Sequence, residues 1–458
     1  MISSKHRELI LFVGDVILVC VALFLGALLR LGYPVNLFQS YLAATLFFSF
    51  IFLNSFYVSN LYDFATFGDG AGVLYRLTIA AAIASLLCSA FFYFSTRYRY
   101  GRGIFVLAAL LVILLSYAWR KLNNHHWAQH VSAVSTLVIG TGPSAASIGS
   151  LLQRSNSQYT LAGFVRTEGL AEDPAVPSDQ ILGSMSALER IIAAYSVGCL
   201  VVASDAQSLA PPEAELLTRT KLKGVRIEDA AGFYISVTEA LSVELLRHSW
   251  LWFAGGFDLV HAQLVRRIKR ASDLVLASVF LVLGLPVAII AAIAIKLDSP
   301  GPIFYRQQRV GRDERVFELL KFRSMITNAE SEGRPQWARA NDERVTRIGR
   351  VLRTLRVDEI PQVINVLKGD MSFIGPRPER PAFVQDLKQV IPFYHLRHYV
   401  LPGITGWAQV NYPYGASVED AKRKLEYDLY YILRASPLLD LRIILRTIRV
   451  LIFRTGSR

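Results

Sequence analysis

Four apolar stretches fill the first quarter of the chain, at roughly 9–30, 42–61, 74–96 and 103–119. Each is about long enough to cross a bilayer, which takes ~20 helical residues. In hydrocarbon a lone segment satisfies its backbone only as a helix. The front of the chain is therefore expected to form a four-helix transmembrane domain over 1–122. Lys5 and Arg7 precede the first stretch as they would in a leader. Its apolar run is too long for one and no small-x-small site follows, so no cleaved signal is expected. Loop charge orients the helices poorly. Lys5, Arg7, Arg120 and Lys121 favour both ends inside, while Arg97, Arg99 and Arg102 oppose this; both ends are placed in the cytoplasm.

The 458 residues leave room for two further domains, and 53% apolar content with positive mean hydropathy fits a membrane protein. The net charge of +13 points to anionic partners such as lipid headgroups or nucleotides. Nucleic acid is not expected, because no DNA- or RNA-binding motif accompanies the charge. Cys20, Cys88 and Cys199 have no metal or disulfide spacing. His125, His126 and His130 lack a carboxylate or thiolate companion and suit a membrane exit better than a metal site.

Over about 130–255 the pattern is soluble α/β. Apolar β-branched runs at 136–139, 161–165, 200–203 and 225–227 alternate with helical stretches, which predicts a Rossmann-like domain with a parallel sheet. Gly140-Thr-Gly142-Pro-Ser-Ala145 follows the first run as a G-x-G-x-x-A turn. The acid for a ribose, near Glu168, is ambiguous, and no Tyr-x-x-x-Lys pair is present for proton transfer. A scaffold or regulatory fold is the leading reading of this domain. An NAD-dependent nucleotide-sugar-modifying enzyme is the alternative.

A fifth apolar segment, about 272–296, has Arg266, Arg267, Lys269 and Arg270 before it and Lys296, Arg306 and Arg309 after it. Positive charge on both flanks places both ends on the cytoplasmic side. Pro286 sits in its middle, and proline removes a helix hydrogen bond. Each half is then about 12 residues, or ~18 Å, against a ~30 Å core. The segment reads as a re-entrant helix broken at Pro286, with a kinked span as the alternative. Near the end, 437–454 mixes apolar residues with spaced arginines; it suits either an interfacial helix or a core-packing amphipathic one.

The chemistry lies between these two segments. Asp358 and Glu359 stand among arginines, with Pro361 and the helical period Val363, Ile364, Leu367 after them. A helix is expected to start at or just after Asp358, where a carboxylate serves as nucleophile or merely as cap. Neighbouring residues on a helix point in different directions, so one acid can attack phosphorus while the other binds Mg²⁺ or accepts a proton. Lys321, Arg323, Arg353 and Arg377 are candidate phosphate-binding cations, and Asp428 is a fainter candidate.

Six ordered motifs carry a resemblance over about 262–458. They are Ser299–Gly311 (SPGPIFYRQQRVG), Lys321–Met325 (KFRSM), Val357–Gln362 (VDEIPQ), Leu367–Ser372 (LKGDMS), Gly375–Pro378 (GPRP) and Pro402–Asn411 (PGITGWAQVN). The chain resembles the bacterial sugar transferases, monotopic phosphoglycosyl transferases that start glycan assembly on a polyprenol carrier. Its front half is similar to the large subgroup initiating exopolysaccharide or O-antigen synthesis. The resemblance implies an α+β monotopic catalytic domain over 262–458 and a ping-pong transfer. Asp358 attacks the sugar-proximal phosphate of a UDP-sugar, UMP leaves, and undecaprenyl phosphate takes the phosphosugar. Glu359, with Asp358 beside it, holds Mg²⁺, and Lys321, Arg323, Arg353 and Arg377 lie near the phosphates. It also implies a homodimer in the bacterial inner membrane with a cytoplasmic active site. Three positions depart from the family pattern: Leu285 for a common serine, Leu401 for a common arginine, and Tyr412-Pro413-Tyr414-Gly415 for Gly-Arg. The sugar is left open.

Overall fold

The computed structural model describes residues 4–33, 42–59, 61–62, 70–94, 102–130, 133–154, 159–167, 173–203, 209–255, 263–326, 344–413, 415 and 417–453. Glu168, Arg97, Arg99 and Tyr414 lie outside them, as do the side chains of His125, His126 and His130. Two compact units result, one of residues 1–135 with 151–161, the other of 136–150 with 162–458.

The first unit carries four apolar helices, α1 (Ser4–Leu31), α2 (Leu42–Val58), α3 (Gly70–Phe94) and α4 (Arg102–His130), as expected of a membrane protein. Three contain long apolar windows of 20 to 24 residues, and α2 has 17. Small residues bring α1 and α4 together: a Cβ on Gly26 would lie 3.0 Å from the Ala108 backbone nitrogen. One buried ion pair fixes their register. Arg120 Nη1 and Nη2 donate to Asp15 Oδ1 and Oδ2 at 2.9 and 2.7 Å, with both residues almost fully buried. Two parallel bonds make this the geometrically specific form of an arginine–carboxylate pair.

Next in the chain, β1 (Val134–Ile139), α5 (Pro143–Arg154), β2 (Tyr159–Arg166), β3 (Ile181–Ser184), α6 (Leu188–Ala194), β4 (Cys199–Val202), α7 (Pro211–Leu222) and β5 (Arg226–Asp229) build a five-stranded sheet, of which 134–135, 151–154 and 159–161 fall in the first unit and the rest in the second. Its order is β3-β2-β1-β4-β5, with β1·β4, β2·β3 and β4·β5 parallel. Leu137, Ile139, Val165 and Leu200 are buried in its core, which is why the strands read as β-branched runs rather than alternations.

After the sheet come α8 (Ala230–Thr238), α9 (His248–Phe253) and α10 (Gln263–Asp298). The helix α10 runs unbroken through Pro286 for 36 residues, about 54 Å at 1.5 Å per residue. The expected helix–break–helix at Pro286 is thus not seen; the ladder continues on both sides of the one bond that proline cannot make. Much of the α10 surface stays exposed and apolar, including Val282, Leu283, Ile290 and Ile293. Its other face is anchored from end to end. Arg270 donates to the Val366 and Leu367 carbonyls at 2.6 and 2.9 Å. Asp273 accepts from Ser372 Oγ and Phe373 N at 2.9 and 3.0 Å, and Asp298 accepts from Ile348 N at 3.3 Å.

The remaining elements complete the second unit. They are the hairpin β6 (Phe304–Val310) and β7 (Val316–Phe322), α11 (Arg347–Thr354), α12 (Gln362–Lys368), β8 (Ser372–Ile374), α13 (Pro381–Val390), β9 (Gly403–Thr405), α14 (Trp407–Asn411), α15 (Val418–Arg434) and α16 (Pro437–Phe453). Strands β8 and β9 pair in parallel, so closely that a Cβ on Gly403 would lie 2.1 Å from Gly375 N. One core joins Ile235, Leu241, Val243 and Leu246 to Met371, Trp407, Leu425 and Ile443. The stretch after β5 is therefore built into the same core as the motifs of the C-terminal half. The arginines of α16 do not all face outward. Arg442 and Arg446 stand 5.2 and 4.6 Å from the Trp407 ring centre, and Arg442 donates to Glu239 Oε1 at 2.7 Å. Leu438, Leu441, Ile448 and Leu451 on the same helix are exposed, so α16 packs one face into the core and leaves these apolar residues uncovered.

Candidate active site

Asp358 and Glu359 occupy a short 3₁₀ turn, Val357–Glu359, between α11 and α12. The chain enters it through Arg356 at φ 55°, a left-handed position that costs a non-glycine residue roughly 1–3 kcal/mol and recurs at functional sites. The helix itself starts at Gln362, with Pro361 in the capping position. Asp358 is thus not the cap of α12, as that alternative required. Its carboxylate accepts no hydrogen bond among the described residues, although the residue is only 8% exposed.

Flanking apolar residues hold the turn in place. Val357 and Ile360 pack in a cluster with Ala288, Ala291 and Ile295 of α10 and with Phe322 and Leu352. A Cβ on Gly284 would lie 3.7 Å from Ile360 Cγ2. The turn that carries the two acids is therefore held against the C-terminal half of the apolar helix.

Their environments differ. Glu359 Oε1 accepts from Arg377 Nη2 at 2.9 Å and from Lys321 Nζ at 3.3 Å. Burial opposes its ionisation, but Arg377 and Lys321 outweigh burial and hold its carboxyl well below the usual range. For Asp358 burial prevails. It raises the carboxyl, with Lys321 opposing and the neighbouring Glu359 adding to the rise. Burial also lowers the Lys321 ammonium, while Glu359 raises it. Two adjacent carboxylates are thereby pushed apart, the pattern expected where two acids have different jobs.

Of the other predicted residues, Arg353 is within electrostatic reach of Asp358 and donates from Nε to Ser324 Oγ at 2.8 Å. Arg323 is turned away, donating to the Pro300 and Ser299 carbonyls at 2.8 and 2.7 Å and so latching the hairpin to the end of α10. Asp428 has Arg397, Glu379 and Lys424 as charged neighbours rather than Glu359 or Asp358. Burial pushes its carboxyl up to about 6 despite Arg397 at 2.8 Å. Sequence reasoning missed Arg309, Arg397 and Lys424, whose charges reach Arg377 or the loop that carries it. Their positions follow no spacing. The one legible hint was a proline on each side of Arg377, which leaves loop carbonyls in need of donors.

Among the described residues no three His, Cys, Asp or Glu side chains cluster. The acid pair alone suits Mg²⁺, which typically takes one or two carboxylates plus substrate phosphates. Both cations on Glu359 fall on Oε1, which leaves Oε2 as a donor.

A family model described as bacterial sugar transferase matches residues 264–454, the part that carries this site and not the sheet. A UDP-N-acetylgalactosamine-undecaprenyl-phosphate N-acetylgalactosaminephosphotransferase of Aeromonas hydrophila is 49% identical over 191 residues, 42% of this chain and 45% of that protein. A UDP-glucose:undecaprenyl-phosphate glucose-1-phosphate transferase of Escherichia coli (strain K12) is 45% identical over 185 residues, 40% of each. The chain thus aligns with less than half the length of these two relatives. It aligns with 93% of the exopolysaccharide production protein PSS of Rhizobium leguminosarum bv. phaseoli, at 39% identity and over 40% of its own length. Across the segment that holds Asp358, Glu359 and their cations, the chain belongs to the bacterial sugar transferase family.

Proposed function

We propose that this protein transfers a sugar-1-phosphate from a UDP-sugar to undecaprenyl phosphate and releases UMP. The observation that carries the reading is Asp358, a buried carboxylate that accepts no hydrogen bond among the described residues, beside a Glu359 pinned by Lys321 and Arg377. An Asp358 oxygen attacks the sugar-proximal phosphorus, and the bond from that phosphorus to the UMP oxygen breaks. A phosphosugar–aspartate remains. A phosphate oxygen of the lipid then attacks the same phosphorus, the aspartyl bond breaks, and the lipid carries a diphosphosugar. Lys321, Arg353 and Arg377 balance charge on the phosphate oxygens. Glu359 and Asp358 would hold Mg²⁺, which when bound supplies further charge neutralisation there.

Lipid access follows from α10. One globular body grips the helix at Arg270, Asp273 and Asp298 while the opposite face stays apolar. A spanning helix would part its ends by the ~30 Å core and leave no soluble domain able to hold both. We therefore place α10 in one leaflet as an unbroken helix lying along the interface, with both ends and the site on the cytoplasmic face of the bacterial inner membrane. Strand order supports a Rossmann-type scaffold for the sheet. A homodimer and a role in the first membrane step of exopolysaccharide or related glycan synthesis complete the proposal.

The test supplies purified protein with undecaprenyl phosphate and a panel of UDP-sugars. One sugar nucleotide should release UMP, and without the lipid its sugar phosphate should remain on the protein. Asp358→Asn should lose both signals. Full turnover in that variant sinks the covalent step, and silence across the panel sinks the activity.

A further inference from the structure

Around Arg377 the chain reads Gly-Pro-Arg-Pro-Glu, so Pro376 and Pro378 have no N–H and the loop offers more acceptors than donors. Four consecutive carbonyls are nevertheless satisfied. Gly403 N donates to Pro376 O and Val310 N to Glu379 O, each at 2.9 Å. Between them, Arg397 Nη2 donates to Arg377 O and Arg309 Nη1 to Pro378 O, each at 2.9 Å. Two side chains thus complete what backbone pairing leaves open.

Arg397 is itself held on three sides. Its Nη1 donates to the Tyr394 hydroxyl at 2.6 Å, its guanidinium lies 5.2 Å from that ring's centre, and its Nη2 pairs with Asp428 Oδ2 at 2.8 Å. The pair is almost fully buried, with Asp428 1% and Arg397 6% exposed. The carbonyl that Arg397 holds belongs to the residue whose guanidinium reaches Glu359 at 2.9 Å.

We propose that the buried Arg397–Asp428 pair is a positioning device for Arg377. It fixes the backbone from which Arg377 is aimed at Glu359 and, on the function proposed above, at the transferring phosphate. Asp428 acts through Arg397 and not on substrate. A misplacement of about 1 Å at such a remove can cost on the order of 10²-fold in rate.

Two measurements on the full-length protein in detergent test this. The first, amide exchange over 375–380, does not depend on turnover: Asp428→Asn should speed exchange there and leave β7 unchanged. The second is a double-mutant cycle on UMP release with Arg377→Ala. Asp428→Asn alone should slow release on the order of 10²-fold, and in the Arg377→Ala background it should slow it little further. Additive losses, or unchanged exchange over 375–380, overturn the inference. Arg397→Lys keeps a cation for Asp428 but lacks the fork that also reaches Arg377 O, and it should give the same two results if Asp428→Asn does not fold. A wild-type protein that releases no UMP refutes the proposed function, and the exchange measurement then decides the positioning role alone.

Discussion

At the residue scale, the site separates three carboxylates by surroundings rather than by type. Glu359 is dominated by Arg377 and Lys321 and stays ionised well into acid, whereas burial raises Asp358 and Asp428. The sign of the consequence for stability differs accordingly. A carboxyl raised on folding binds its proton more tightly in the native state, so its stabilising contribution is present below the unfolded pKa and is lost as pH rises through the folded value. For Asp428 that window runs from about 4, the ordinary aspartate value, to about 6. Asp428→Asn removes this titration. The difference in Tm, variant minus wild type, should become more positive between these limits and flat above them. A constant difference across the window would show that burial does not strain the carboxylate. That Asp358, Glu359, Lys321 and Arg377 lie together was legible because charge and Gly/Pro turns cluster in the text. The fate of Arg323 was not, since nothing local says that its fork will close on the 299–300 carbonyls.

At the element scale, α10 is the informative case. Basic flanks and length were readable, but proline in an apolar run was expected to divide the helix, and it does not. Arg270, Asp273 and Asp298 tie the helix to α12, β8 and α11 along its length, and these anchors come from sequence positions 50 to 100 residues away. Cysteines placed at Arg266 and Leu297, in a chain with Cys20, Cys88 and Cys199 replaced, should both react with an impermeant maleimide in inverted vesicles and be shielded in intact spheroplasts. Reaction of the two from opposite sides would establish a spanning helix and remove the leaflet placement.

At the scale of the whole molecule, the sheet and the C-terminal half do not part at the change in sequence character near residue 260. Leu241 and Leu246 are buried with Trp407 and Leu425, Leu241 N donates to Glu426 O at 2.9 Å, and Trp407 Nε1 donates to Glu239 O at 2.9 Å. Each fully buried Leu or Val contributes roughly 1.5–3 kcal/mol. A fragment starting at 230 should therefore remain monodisperse in detergent and resist protease, while one starting at 262 should be cleaved faster and melt at lower temperature. Equal protease resistance and Tm of the two fragments would show that the 235–246 stretch is only draped on the core.

The sequence by itself determined the apolar helices, the parallel α/β middle and the acid pair among cations. Each is written in local chemistry: hydrophobic length, β-branched runs, charge and proline. Only the tertiary structure decided that Asp358 caps no helix, that α10 continues through Pro286, that Arg323 and Asp428 turn to structural partners, and that the 235–246 stretch belongs to the C-terminal core. Those outcomes depend on which distant donor reaches a buried carbonyl or carboxylate, and burial, unlike composition, is a property of the folded chain alone.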